Sequence, residues 1–188
     1  MAASGSTPTI SAFLVLFVAV ITGGSVAVAA STALDEVCGG LGGYYVTPEL
    51  CVSALCPDPS SPCRAARDTP AVAAIAARLA AANATAARDS VEAALSSYAA
   101  ATAGAAAAAL RSCLRLYGGV VPALQWAARS AAAGRLPGAR EVMLAAQYVP
   151  AGCDGMADGA VTLPSENDGF ATMVTVAHAV LATLSKGY

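Results

Sequence analysis

From residue 69 onward the apolar positions recur with the period of an α-helix. Val72, Ile75, Leu79, Ala82 and Ala86, followed by Val91, Leu95 and Tyr98, form one stripe that drifts slowly around a long helix. Thr69 is expected as its N-cap, with Pro70 at the first helical position, where a missing N–H costs nothing. Gly104 ends or bends this helix. A second stripe runs through Leu110, Cys113, Leu114, Tyr117, Val121, Leu124 and Ala128, so Cys113 faces the core. Gly118, Gly119 and Pro122 lie inside the second helix, which should kink there and stop by Gly134.

Residues 135–138 read as a turn. A short third helix is expected from Ala139 to about Val149, with Val142, Met143 and Ala146 on one face and Pro150 and Gly152 closing it. The last helix is expected from about Glu166 to Leu184, with Phe170, Met173, Val174, Ala177, Leu181 and Leu184 inward. Four helices joined by short connections predict an all-α, up-down-up-down four-helix bundle over residues 67–188. Alanine, the best intrinsic helix former, occupies so many seam positions that the helices should approach closely.

The N-terminus has a different pattern. Residues 12–21, AFLVLFVAVI, form an apolar run too short to span a bilayer, and AVAAS follows with the small residues that signal peptidase accepts. Residues 1–30 therefore read as a secretory signal, cleaved between Ala27 and Ala33, leaving one domain at 31–188 and no membrane segment after cleavage. The alternative is a signal anchor, since the leader has no basic residue.

Secretion changes the reading of the cysteines. The chain has six cysteines and one histidine, without a CxxC spacing, which points to disulfides and not to a zinc site. Counting does not give their connectivity. Cysteine content is modest for this length, so the bridges staple a fold that has its own core.

Charge and motifs exclude other classes. The net charge is -2 and the basic residues are scattered, which gives no support for nucleic-acid binding. No phosphate-binding glycine loop, HExxH or nucleophile elbow occurs, and no cofactor is expected. His178, between Val174 and Leu181, reads as a structural residue at the edge of the apolar face, and Asp154 and Asp158 as a solvated acidic pair. Asn83-Ala84-Thr85 is a sequon, and a secreted chain would expose it to N-glycosylation.

Particular residues carry a resemblance. Thr47-Pro48-x-Leu50-Cys51 near the mature N-terminus, a long alanine-rich helix, then CLRLYGGVVPAL with Cys113, Leu114 and Tyr117, and a distant Cys153 before a final amphipathic helix resemble the plant invertase and pectin methylesterase inhibitor family. The likeness covers essentially the whole mature chain. It implies a four-helix bundle preceded by a hairpin of short helices at 31–66, with bridges Cys38–Cys51 inside the hairpin and Cys113–Cys153 between the second and third bundle helices. Cys56 and Cys63 are additional to the family's four. They flank the proline-containing loop PDPSSP and are expected to pair with each other.

The resemblance also implies a function: stoichiometric binding to a secreted cell-wall enzyme, blocking its substrate cleft. Family inhibitors of pectin methylesterase use the second to fourth bundle helices. The candidate contacts there are Arg115, Gln125, Arg129, Arg140, Gln147, Tyr148 and Thr172. Family inhibitors of acid invertase use a Pro-Lys-Phe motif between the second and third helices. Here the matching stretch is GRLPGAREV, with Pro137 followed by Gly138 and Ala139, so neither the cation nor the aromatic anchor is present. Pectin methylesterase is thus the expected partner, with acid invertase the alternative. On that side too the chain departs from the family, having AQYVPAG where polar and acidic residues are common. A non-inhibitory secreted bundle is a further alternative; its pro-region form is disfavoured by the end of the chain at Tyr188.

Overall fold

The computed structural model describes residues 31–42, 45–58, 62–99 and 104–187, and the leader assigned to residues 1–30 lies outside them. Helix α1 (Ala33–Gly39) starts with a capping box. The Thr32 hydroxyl accepts from the Asp35 N–H at 3.2 Å, and the Asp35 carboxylate accepts back from the Thr32 N–H at 3.1 Å. Helix α2 (Pro48–Leu55) begins with Thr47, whose hydroxyl accepts from the Leu50 N–H at 3.2 Å. Cys38 and Cys51 are bridged with their Cα atoms 5.5 Å apart, tying α1 to α2. Leu34, Val37, Leu41, Val46 and Leu55 form the inner face of this hairpin, and they belong to the same buried cluster as the bundle. The hairpin is therefore an extension of the main core. Cys56 and Cys63 are also bridged, at a Cα separation of 5.7 Å, and a 3-10 turn at Pro62–Ala65 leads to the bundle.

The first bundle helix, α3, spans Thr69–Ala99. Its N-cap is Asp68, not Thr69: the Asp68 carboxylate accepts from the Ala71 N–H at 2.8 Å, and its carbonyl accepts from Val72. A carboxylate both caps and complements the helix dipole, and Pro70 still falls in the first turn, where N–H groups have no intrahelical partner. The buried line also differs from the expected one. It passes through Val72, Ala73, Ala76, Ala77, Ala80, Ala84, Ala87 and Val91, while Ala82, Ala86 and Tyr98 are exposed and Ile75, Leu79 and Leu95 sit at the flanks. Methyl groups on the seam let neighbouring helices approach, and the larger side chains fill the space beside it. By length and composition α3 could cross a bilayer, but half of its most apolar window is buried inside the protein.

Helix α4 (Ala105–Ala132) buries Leu110, Cys113, Tyr117, Val121, Leu124 and Ala128 as the stripe requires. It continues through Pro122, which lies on the exposed side together with Gly118, the residue whose carbonyl the proline leaves without an N–H partner. A Schellman motif ends it: Gly134, at φ 76°, donates to the Ala131 carbonyl at 3.0 Å, and Arg135 donates to that of Ser130 at 2.9 Å.

The third bundle helix is longer than expected and broken once. Helix α5 covers Leu136–Ala146; after Gln147 the chain resumes as α6, Tyr148–Ala157. Pro150 does not close the helix, because it falls within the first turn of α6, where it removes no intrahelical bond. Cys153 consequently sits on a helix and is bridged to Cys113, Cα to Cα 5.0 Å. Helix α7 (Glu166–Leu184) has the predicted bounds and buries Phe170, Met173, Val174, Ala177 and Leu181, with Leu184 half-buried.

Helix α3 packs against α4 and α7, α4 against α5 and α6, and α5 against α7, which closes a four-helix bundle with the hairpin on α3 and α7. Along α4, Cys113, Leu116 and Trp126 meet Cys153, Gly152 and Gly138 in turn, so the α5–α6 arm runs antiparallel to it.

Candidate protein-docking surface

Three helices share a buried polar relay. The Tyr117 hydroxyl donates to Asn167 Oδ1 at 2.8 Å, and Asn167 Nδ2 donates to the Asp154 carboxylate at 3.0 Å, joining α4, α7 and α6. Burial, then the carboxylates of Asp154 and Asp168, push the Tyr117 pKa far above its ordinary value, so the phenol remains a donor. Among the described residues no group of three or more His, Cys, Asp or Glu side chains could hold a metal ion.

His178 is half-buried on α7 near Arg140 and Glu141 of α5. Burial, then the Arg140 guanidinium, lower its pKa from 6.5, and Glu141 opposes them. The unfolded chain thus binds a proton more readily than the native one. The stability associated with neutral His178 is present above the unfolded pKa and is lost as pH falls from it toward the lowered folded value. We expect the melting temperature to drop between neutral and mildly acidic pH, and His178→Gln to reduce that drop. Differential scanning calorimetry at several pH values checks both.

The outer face of α4 is assembled by helical spacing. Arg111, Arg115, Gly118, Pro122, Trp126 and Arg129 recur at intervals of three or four and are exposed, as is Gly119 beside them. Trp126 is 45% exposed, with the edge of its ring against α5: a Cβ built on Gly138 would lie 3.2 Å from Trp126 Cη2. Leu116 lies over Gly152 of α6 in the same way, at 3.2 Å from Cδ1. Glycines on the α5–α6 arm thus let two large α4 side chains lean across the seam while remaining partly exposed. Leu144, Tyr148 and Met156 add further exposed apolar surface on the arm.

The sequence-derived contact residues fall into separate groups. Arg115, Gln125 and Arg129 are exposed on α4, with Arg115 bonded to the Ser112 hydroxyl at 2.8 Å. On the arm, Arg140 is half-buried and ion-paired to Glu141, Gln147 is half-buried at the break, and Tyr148 is 72% exposed. Thr172 is exposed on α7, but it lines a shallow depression with Tyr45, Val46 and Leu50 of the hairpin. Sequence reasoning missed Trp126. The signal was present, since the residue two beyond Leu124 and two before Ala128 points away from the buried stripe.

A disulfide-stapled helical bundle with an exposed, aromatic-bearing face, its Tyr117–Asn167–Asp154 relay joining three helices, has the build of a binding protein. Residues 32–180 match the family model described as plant invertase/pectin methylesterase inhibitor, and the chain belongs to that family. Members of this family are inhibitors, not enzymes, and are generally extracellular. A search of the curated proteins returned no match.

Proposed function

We propose that this protein is a secreted inhibitor that binds a cell-wall pectin methylesterase and blocks its substrate cleft. The family admits either pectin methylesterase or invertase as the target. The observation favouring the former is the packing at the start of α5. Gly138 lies against the edge of the Trp126 ring, and Ala139 is 0% exposed, so the two positions following Pro137 present neither a free cation nor an aromatic anchor. Cleavage of residues 1–30 and passage to the cell wall belong to the same reading, as does glycosylation of Asn83. That residue is half-buried on α3 and faces Gly169 of α7, so a glycan there would leave the α4–α6 face open.

The test is titration of the secreted protein against pectin methylesterases and acid invertases. Stoichiometric loss of esterase activity with invertase untouched is expected; the reverse overturns the assignment. Within this reading Tyr148→Ala should weaken esterase binding by about 2 kcal/mol, roughly thirtyfold, because a large exposed ring with a polar tip is a common interface anchor. At 72% exposure the ring contributes little to the core, so helical circular dichroism and melting temperature should hold. Unchanged affinity would remove Tyr148 from the interface.

A further inference from the structure

Charge is unevenly placed on this slightly acidic chain. From Ala93 to Arg140 there is no aspartate or glutamate, while Arg111, Arg115, Arg129, Arg135 and Arg140 all fall in that stretch. Helix α4 itself has no carboxylate to neutralise Arg111, Arg115 and Arg129. These three span about 27 Å of helix on one exposed face, and Trp126 stands between Arg115 and Arg129. Elsewhere on α4 and the α5–α6 arm packed against it, Leu116, Leu144, Tyr148 and Met156 are also at least partly exposed. A partly exposed Trp flanked along the same helix face by unneutralised arginines has the elements of a protein interface, in which a desolvated aromatic anchor supplies affinity and rim charges steer approach.

We infer that Trp126 is the anchor of the docking face, and that the enzyme bound there presents an apolar receptor for the indole within an acidic rim that meets Arg111, Arg115 and Arg129. This rests on the proposed function and narrows it to esterases with acidic residues around the cleft mouth. An acidic polysaccharide could contact the same arginines, but a single polymer strand would not cover apolar side chains on three helices. The arginines govern association, and Trp126 governs residence time.

Trp126 is the only tryptophan, so 5-fluorotryptophan labelling of the secreted protein gives a single fluorine reporter that an unlabelled partner does not obscure. The probes are purified pectin methylesterases of acidic and of basic surface, with polygalacturonate as the polysaccharide control. Expected results are a shift of the fluorine resonance on adding an acidic-rimmed esterase, about thirtyfold faster dissociation for Trp126→Ala, and about tenfold slower association with a flatter salt dependence for the Arg111→Ser, Arg115→Ser, Arg129→Ser triple variant. Arg78→Ser with Arg88→Ser, on α3, should change neither rate.

An unmoved resonance on saturation, wild-type affinity in Trp126→Ala, or preference for basic-rimmed enzymes overturns the inference while leaving the proposed function standing. Polygalacturonate binding that depends on the arginines, with esterase binding indifferent to them, overturns it in favour of the polymer. If the wild-type protein binds no esterase, the proposed function fails first and this inference with it.

Discussion

Replacing both Cys113 and Cys153 with alanine should lower the unfolding free energy by about 4 kcal/mol, the largest loss expected from any single bridge in this chain. The two cysteines are 40 residues apart in sequence and the bond joins α4 to α6, so the loop it closes contains the Gly134 turn, all of α5 and the break at Gln147. Removing the bridge restores that whole segment's freedom in the unfolded state. Both positions are fully buried, which is why the double replacement is preferred to a single one that leaves a lone thiol in the core. The corresponding changes at Cys38–Cys51, separation 13, and Cys56–Cys63, separation 7, should cost progressively less. Urea unfolding of the three double variants measures the order. A Cys56–Cys63 variant that loses the most would show that native packing, and not loop closure, sets the contribution of these bridges.

That order of costs depends on connectivity, which the residues alone did not provide. Six cysteines left the pairing open until the resemblance carried by Cys113, Leu114 and Tyr117 assigned the two main bridges. Helix α4 was legible because its buried side is marked by large residues at helical spacing, and α7 because the apolar run from Phe170, at helical spacing, marks its inward face. Helix α3 was misread in register for the opposite reason. When nearly every position is alanine, hydropathy no longer distinguishes a seam methyl from an exposed one, and the eye follows Ile75 and Leu79 to the flank of the true interface. The α5–α6 arm was cut short because Pro150 and Gly152 signal a stop, yet they fall in the opening turns of a new helix. On the exposed face Tyr148 was visible by its isolation among alanines, whereas Trp126 was missed, although the phase of the α4 stripe pointed it outward. Its contact with Gly138 spans two helices and has no counterpart in local sequence.

The second large effect is expected at Asn167, a residue without any sequence motif. It is 1% exposed, and its amide is the hub of a relay, accepting from the Tyr117 hydroxyl and donating to Asp154. Asn167→Ala should cost about 3 kcal/mol, because the Tyr117 hydroxyl then stays buried with no acceptor, and the amide's own bonds are lost as well. Tyr117→Phe should cost less, about 1 to 2 kcal/mol: the ring keeps its contact with Phe170, whose centroid is 5.7 Å away, and only Asn167 Oδ1 loses its donor. If the relay acts as a unit, the double variant Tyr117→Phe, Asn167→Ala should be more stable than the sum of the two losses predicts, since each replacement has removed the partner that the other would strand. Chemical denaturation of the four proteins closes this cycle. The relay joins α4, α6 and α7 on the inner side of the face that bears Trp126 and Tyr148. Its loss should therefore lower stability far more than the affinity of molecules that remain folded. Strictly additive losses would mean that Tyr117 and Asn167 are neighbours without being coupled, and the alignment of α6 against α4 would then rest on the Cys113–Cys153 bridge and on Leu116 packed over Gly152.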